Sequence, residues 1–453
     1  MISLYLARVL GVAGFGQFSL AVAAGMYMWA VVDMGVAGYG VREVARSRGN
    51  ASEILNVLNS MRLVIAIILL IILTLVLSIS EVHSETRFVI IFGCFYVVAS
   101  ALSPDWVFRG LERMEYIALS NTALAVTFLA AILVFVKSPA DTIGAVFYRS
   151  ASFFIATGIA LIMLKKKENI VFSFKLSISK WRLHVKESFY FAVVGAFNIV
   201  ALYIPLFFLG AWAGMEEVGI FSAPQRIITA IIMLPAIITA AAYPTLSNLF
   251  AADKEKFNRA HKSFERLMLF IGVPIGAMGT LLSKKIVITL FGSSYSAGSA
   301  MFGVMIWYAP LMFVKMNYGV TLSSAGFYRL NMLATGSGAL TTVLICFLLI
   351  PSYGGIGASF SLVGGELVAL IVMGLIFVSK VHRVHPFDLY LLKVSFASVV
   401  AGIAVAAMDM SLGYAVITGT VFYLGISVAL GLITVGQAGD IYRKVMQGRF
   451  EAV

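Results

Sequence analysis

The chain has 453 residues, 61% of them hydrophobic and only 12% charged, with a formal charge of +12 and a mean hydropathy of +0.98. That is too little polar surface to cover a water-soluble globule, which excludes a soluble enzyme or binding module and places the chain in a bilayer. The positive charge is not gathered into a single patch, so it does not read as a nucleic-acid surface.

In chain order the apolar segments lie at residues 16–38, 63–80, 88–108, 117–136, 142–164, 188–211, 219–243, 267–283, 299–322, 330–350, 356–379, 390–408 and 412–435. The stretch LVIAIILLIILTLVLSIS carries no charge, and at about 1.5 Å per residue it nearly spans a hydrocarbon core of roughly 30 Å. The runs are apolar on every face, where barrel strands would alternate, so they read as membrane helices. Ahead of the first run, MISLYLARVL reads as the far half of another span, with the native start upstream of Met1. No signal peptide precedes it, and the two cysteines, Cys94 and Cys346, lie inside apolar runs as small core residues.

The loops alternate in charge. One set holds most of the 33 Lys and Arg, including Arg42, Arg109, Lys165–Lys167 and the basic residues between 254 and 266. The opposite set holds Arg8, Arg87, Lys137, Lys284 and Lys285 among Glu81, Glu85, Asp141, Glu216, Glu217 and Asp409. The positive-inside rule makes the first set cytoplasmic, and with the stub helix completed both termini are cytoplasmic.

Two short motifs recur. GVAGFGQFS at residues 11–19 and GMEEVGIFS at 214–222 share Gly, four residues, Gly, one residue and Phe-Ser. GLERMEYIA at 110–118 and GFYRLNMLA at 326–334 share Gly, Arg three on and an aliphatic-Ala pair, in matching cytoplasmic turns. Six helices per half give the halves the same orientation, related by an axis along the membrane normal. Each copy of the first motif reads as the short outer turn between the first two helices of a half, where Gly permits a tight turn and close backbone contact.

The segments LARVLGVAGFGQFSLA, PDWVFRGLERMEYIA, LFGSSYSAGSAM and YGGIGASFSLVGGELVALI, in this order and spacing, resemble the Wzx-type oligosaccharide flippases of the multidrug, oligosaccharidyl-lipid and polysaccharide exporter superfamily. The resemblance runs to about residue 380. It implies an all-α polytopic membrane protein with two pseudo-symmetric six-helix lobes around a central cavity, plus two C-terminal helices. On this reading residues 1–164 form the N-terminal lobe with its first helix truncated, 165–186 a basic cytoplasmic linker, 187–380 the C-terminal lobe, and 381–453 the two extra helices and a cytoplasmic tail. It further implies a non-enzymatic flippase in the cell membrane that carries a polyprenyl-(di)phosphate-linked oligosaccharide from the inner to the outer leaflet by alternating access. Its partners would be the lipid-linked oligosaccharide, the bilayer, and the glycan polymerase or glycosyltransferases of the same pathway, with no nucleic acid, cofactor or metal.

Ionisable residues inside spans cost about 2.5–3.5 kcal/mol each at mid-bilayer and should face a cavity or a partner. Arg149 and Arg226, about 10–12 Å from the outer helix ends, are candidates for binding the substrate phosphate, because a planar guanidinium grips phosphate oxygens in pairs and stays charged. Arg8, ending the stub helix, is a third. The bland alternative pairs Arg149 with Glu366 as a brace and leaves Arg226 solvated. Asp33 and Lys315, at similar inner depth on opposite lobes, are candidates for gating, and Asp33 or Glu366 for ion coupling. The basic and aromatic linker reads as a segment lying on anionic lipid. All five histidines read as loop residues, and the His382–His385 spacing has no further ligand nearby to make a metal site. Two other functions compete: a cation-coupled multidrug exporter of the same fold, which would present carboxylates rather than cations in the membrane, and a membrane glycan polymerase or ligase, which would need acids near the outer surface.

Overall fold

A computed structural model describes residues 2–80, 83–380, 389–408 and 410–432, and every regular element among them is helical. Twelve stretches are long and apolar enough to cross a membrane. One of these, Tyr328–Lys380, is two helices folded at Gly354, whose φ of 51° and ψ of −130° leave the helical region. With that fold counted, the stretches correspond one for one to the apolar segments read from the sequence. The chain is a multi-pass membrane protein. The His382–His385 pair and the tail beyond residue 432 lie outside the described residues.

The chain divides into two compact units, Met1–Ser222 and Ala223–Val453. In the first unit the helices are α1 (Ile2–Val9), α2 (Gly11–Asp33), α3 (Val36–Arg46), α4 (Ala51–Ile79), α5 (Ser84–Cys94), α6 (Tyr96–Leu102), α7 (Asp105–Gly110), α8 (Met114–Phe135), α9 (Thr142–Glu168) and α10 (Ile178–Trp212), followed by the start of α11 (Gly214–Ile231). Helix α2 is its centre, packed by α5, α10, α4 and α9. The second unit continues with α12 (Met233–Ala252), α13 (Lys254–Leu281), α14 (Ser283–Phe291), α15 (Gly298–Met305), α16 (Tyr308–Ser324), α17 (Tyr328–Lys380), α18 (Leu389–Ala406) and α19 (Leu412–Ala429). Here α13 packs on α16 and α18, α16 on α17, and the Tyr423 hydroxyl of α19 donates to the Phe270 carbonyl of α13, so the two last helices attach to the second unit. The surface is apolar where lipid would lie: Ile68, Ile71, Leu75 and Ile79 of α4 all point outward. Both cysteines are fully buried and unbridged.

The repeated motifs have a clear local cause. Gly11 and Gly214 open α2 and α11 with φ of 68° and 86°, a left-handed conformation that costs glycine nothing. The second glycine of each motif meets the other copy. A Cβ on Gly16 would lie 2.0 Å from the Met215 carbonyl oxygen, and one on Gly219 would lie 1.9 Å from that of Val12. The two copies therefore cross backbone to backbone with matching partners, since Met215 and Val12 each directly follow the first glycine of their motif. The second repeat aligns differently from its sequence register. In it Glu112 (φ 62°) and Gly326 (φ 80°) hold equivalent left-handed turns, closed by Arg113 N–H to Phe108 O and Phe327 N–H to Leu322 O. Glu112, two residues past Gly110, thus plays the part of Gly326. Compactness also partitions the chain differently from the repeat: the dividing line falls after the second GxxxxGxFS copy, at residue 222.

The basic linker is held to the first unit. Its extended part bonds to the N-terminal turns of α4, with Ser173 N–H donating to Asn56 Oδ1 and Lys175 N–H to Ser60 Oγ, each at 2.8 Å. Trp181 Nε1 donates to the Val57 carbonyl, and Lys175 and Lys180 pair with Glu53. Ile170 and Phe172 turn inward, while Phe174, Leu176 and Ile178 are exposed. An Asn56→Ala/Ser60→Ala variant removes both side-chain acceptors, each worth about 0.5–1.5 kcal/mol. Hydrogen exchange at the Ser173 and Lys175 amides is expected to speed up about tenfold, with α10 unchanged.

Candidate functional site

The third apolar segment is not one continuous helix. Pro104 lacks an N–H and breaks the chain between α6 and α7, freeing backbone carbonyls at membrane depth that something must satisfy. Side chains do so. Arg62 Nη2 donates to Ser100 O at 3.1 Å, Asn59 Nδ2 to Leu102 O at 2.9 Å, and Thr157 Oγ1 to Ala99 O at 3.2 Å. Asn59 Oδ1 in turn accepts from Trp106 Nε1 at 3.1 Å. A second break, between α5 and α6, leaves the Phe92 carbonyl to Ser150 Oγ at 2.7 Å. The polar residues here thus have a backbone reason to exist.

This broken helix forms one wall of a cavity of about 310 Å³ inside the first unit. Three guanidiniums line it, those of Arg62, Arg109 and Arg149, with one carboxylate, Asp105. Aromatic faces complete it: Trp29, Tyr96, Trp106 and Phe153. Arg149 stacks on Tyr96 at 4.3 Å and Phe153 at 5.1 Å, and Arg62 on Trp29 at 4.7 Å, arrangements that hold a cation in low dielectric without neutralising it. Arg62 is only 2% exposed, and Asp33 lies 3.5 Å from it. Arg62 Nε, Arg149 Nη1 and Asp105 Oδ1 are buried atoms without a hydrogen-bond partner. The cavity therefore offers two unused donors and one unused acceptor to whatever enters it.

In the second unit, Lys315 Nζ on α16 lies 2.8 Å from both carboxylate oxygens of Glu366 on α17. Both residues are buried. One helical turn further on, the His261 ring of α13 lies 3.0 Å from Thr321 Oγ1 and stacks on Phe377, and Tyr318 donates to Glu265 at 2.7 Å. The aliphatic and aromatic shell of Val314, Leu322, Met373 and Phe377 encloses this group.

The sequence candidates fall out as follows. Arg149 lines the cavity. Asp33, read as a gate partner of Lys315, is paired with Arg62, and Glu366, for which the sequence offered Arg149, takes Lys315. Arg226 sits half-buried on α11, in the second unit, and Arg8 is exposed at the end of α1; neither is among the residues lining this cavity. Arg62, Asp105 and Arg109 escaped the sequence reading, which assigned Arg62 and Arg109 to loops. Their helices extend past the apolar runs: α4 begins eleven residues before Arg62, and α7 runs on to Gly110, just beyond the run that ends at residue 108. The histidines are corrected for the same reason: His261 is buried in α13, and His184 is half-buried on α10 against Tyr39, where loss of water holds its pKa below the usual value.

The fold is the two-lobe fold of known membrane transporters. It is similar to that of a structure titled "Lipid II flippase MurJ, inward closed conformation", with a TM-score of 0.69, 13% identity, and 95% of this chain and 98% of the other covered. It is also similar to a multidrug resistance MATE family transporter of the MOP superfamily in its inward-facing conformation, with a TM-score of 0.66, 17% identity, and 84% and 94% covered. In sequence the chain is 25% identical over 377 residues to the "Putative O-antigen transporter" of Shigella dysenteriae, covering 82% of this chain and 93% of that protein. Residues 1–250 match the Polysacc_synt family, described as "Polysaccharide biosynthesis protein". That match takes in more than half of the sequence, including the helices that build the cavity, and the chain belongs to this family of polysaccharide biosynthesis proteins.

Proposed function

We propose that this protein is a flippase that moves a polyprenyl-(di)phosphate-linked oligosaccharide from the inner to the outer leaflet of the cell membrane, for cell-surface polysaccharide, by alternating access. Family membership, the named relative and the transporter fold support the class of activity. The observation that carries the chemistry is the cavity shared by Arg62, Arg109 and Arg149 within an apolar, membrane-spanning unit. Arg62 has Asp33 beside it, whereas Arg149 has only aromatic faces; a cation without a counter-ion is costly there unless an anion uses it, and a phosphate is the anionic part of the substrate. Arg149 binds the phosphate through its unused N–H groups, with the Tyr96 and Phe153 rings fixing its plane. Arg226 and Arg8 add positive charge along the substrate's path. Asp33, Lys315 and Glu366 serve gating or coupling, a task suited to ion pairs that can exchange partners. The protein performs no covalent chemistry and uses no cofactor. Its termini are cytoplasmic, and it works beside the glycan polymerase or glycosyltransferases that make and use the same lipid-linked glycan.

The test is export of surface glycan in cells carrying Arg149→Gln. Loss of a bidentate contact to a dianion is expected to lower export at least tenfold at unchanged protein level. Lipid-linked glycan should accumulate on the inner leaflet. Export at the normal rate would defeat the assignment.

A further inference from the structure

Part of the basic linker stays uncovered. Ile170 and Phe172 pack inward on the cluster of Leu58, Met61 and Leu164, but Phe174 and Leu176 stand exposed. They do so although the amides on either side of Phe174 are bonded to α4. A pinned backbone presents these two large apolar side chains outward.

Where they stand decides what can cover them. The uncharged run of α4 begins at Leu63, and Ser60, which receives the Lys175 amide, lies about 4.5 Å before it along the helix axis. Asn56, which receives the Ser173 amide, lies about 10 Å before it. Helix α9 marks the same boundary: Leu164 packs in one cluster with Leu58 and Met61, and Lys165 follows it directly. The headgroup layer flanking the hydrocarbon core is roughly 5–7 Å deep on each side, so the chain from Phe174 to Leu176 runs at headgroup depth. Its direction is set as well. Asn56, Ser60, Ile67 and Ile71 fall on one face of α4 by their helical spacing, and Ile67 and Ile71 are exposed, as lipid-facing residues are. The linker therefore crosses the end of the lipid-facing stripe of α4.

Charge selects the lipid. Glu53, Glu168 and Glu187 are already engaged, by Lys175 and Lys180, by Arg113 and by Arg42. Lys165, Lys166, Lys167, Arg182 and Lys186 are exposed and have no carboxylate partner among the described residues. We propose that the linker is a binding site for anionic phospholipid. Phe174 and Leu176 insert at the boundary between headgroups and acyl chains, and the five free cations hold the lipid phosphates of the leaflet at the N-terminal end of α4. A soluble protein would have to reach through the headgroups to meet the same two side chains.

The test uses the full chain carrying Leu176→Cys, labelled with bimane, in nanodiscs of phosphatidylcholine alone or mixed with phosphatidylglycerol. Cys94 and Cys346 are buried and stay unlabelled. Glu255→Cys, in the first turn of α13 and about 18 Å along the helix before its apolar segment, is the aqueous control. Nitroxide-bearing lipid is expected to quench the label at 176 and spare the one at 255, and aqueous iodide to do the reverse. Phosphatidylglycerol should raise lipid quenching at 176 about threefold, and added salt should take that gain away. Replacing the five cations by Gln should abolish the gain and leave quenching in phosphatidylcholine unchanged, whereas Phe174→Ser should lower quenching in both mixtures. Iodide reaching residue 176 as readily as residue 255 with phosphatidylglycerol present would overturn the proposal and leave the surface to a soluble partner. A five-Gln variant that keeps the full response to phosphatidylglycerol would overturn it too.

Discussion

Replacing Gly16 or Gly219 with valine is expected to destabilise the protein by about 3 kcal/mol or more and to abolish glycan export. A side-chain carbon at either position would fall about 2 Å from a carbonyl oxygen of the opposing motif. Backbone cannot swing aside as a flexible side chain does, so the two helix starts must separate, and overpacking costs of this kind reach the top of the usual range. Alanine should do nearly as much harm, because the first carbon already makes the clash. The two positions share one contact, so the double substitution should cost clearly less than the sum of the singles. Gly38 on α3 is the control: a carbon added there meets nothing within 4 Å, and Gly38→Ala should be neutral or stabilising by about 0.4–1 kcal/mol. Thermal unfolding of the purified protein checks each of these variants. Equal melting temperatures for Gly16→Val and wild type would mean that the backbone crossing is absent.

The second large effect concerns Lys315 and Glu366. Lys315→Met leaves a buried carboxylate without its cation, and breaking such a pair from one side costs about 3–5 kcal/mol. Removing both charges with Lys315→Met/Glu366→Met replaces the pair by apolar groups of similar length and should recover most of that loss. If the pair were needed only for stability, the double variant would export glycan normally. If it takes part in gating or coupling, the double variant would be stable and still inactive, and comparing melting temperature with export distinguishes the two.

The number and order of the membrane helices were legible in the sequence because apolarity on every face is a strong, local signal. Helix ends were not. Runs were cut at the first charge, yet α4 and α13 extend far beyond their apolar parts as amphipathic helices, which hid Arg62 and His261 among loop residues. The break at Pro104 could have drawn attention to its surroundings, because freed carbonyls in a membrane oblige nearby donors. Asn59, Arg62 and Thr157 supply them, from helices far apart in sequence, and that pairing is a tertiary fact. Arg149 was legible as a lone charge in an apolar run. Its neighbours were not, because stacking on Tyr96 and Phe153 depends on how α5, α6 and α9 pack. Ion-pair partners failed similarly: depth along a helix narrows the choices, but only side-chain direction matches Asp33 to Arg62 and Lys315 to Glu366. The repeated glycines were legible as a turn, and their mutual contact explains why the motif had to be kept in both places.

Cys94 and Cys346 are sealed within helix packing. A thiol-reactive dye added to the intact protein should therefore find no native target. A single cysteine placed at an exposed site such as Ser179 would then be the one labelled position, so distances and solvent access can be followed during transport in the otherwise unaltered chain, without first replacing the native sulfurs.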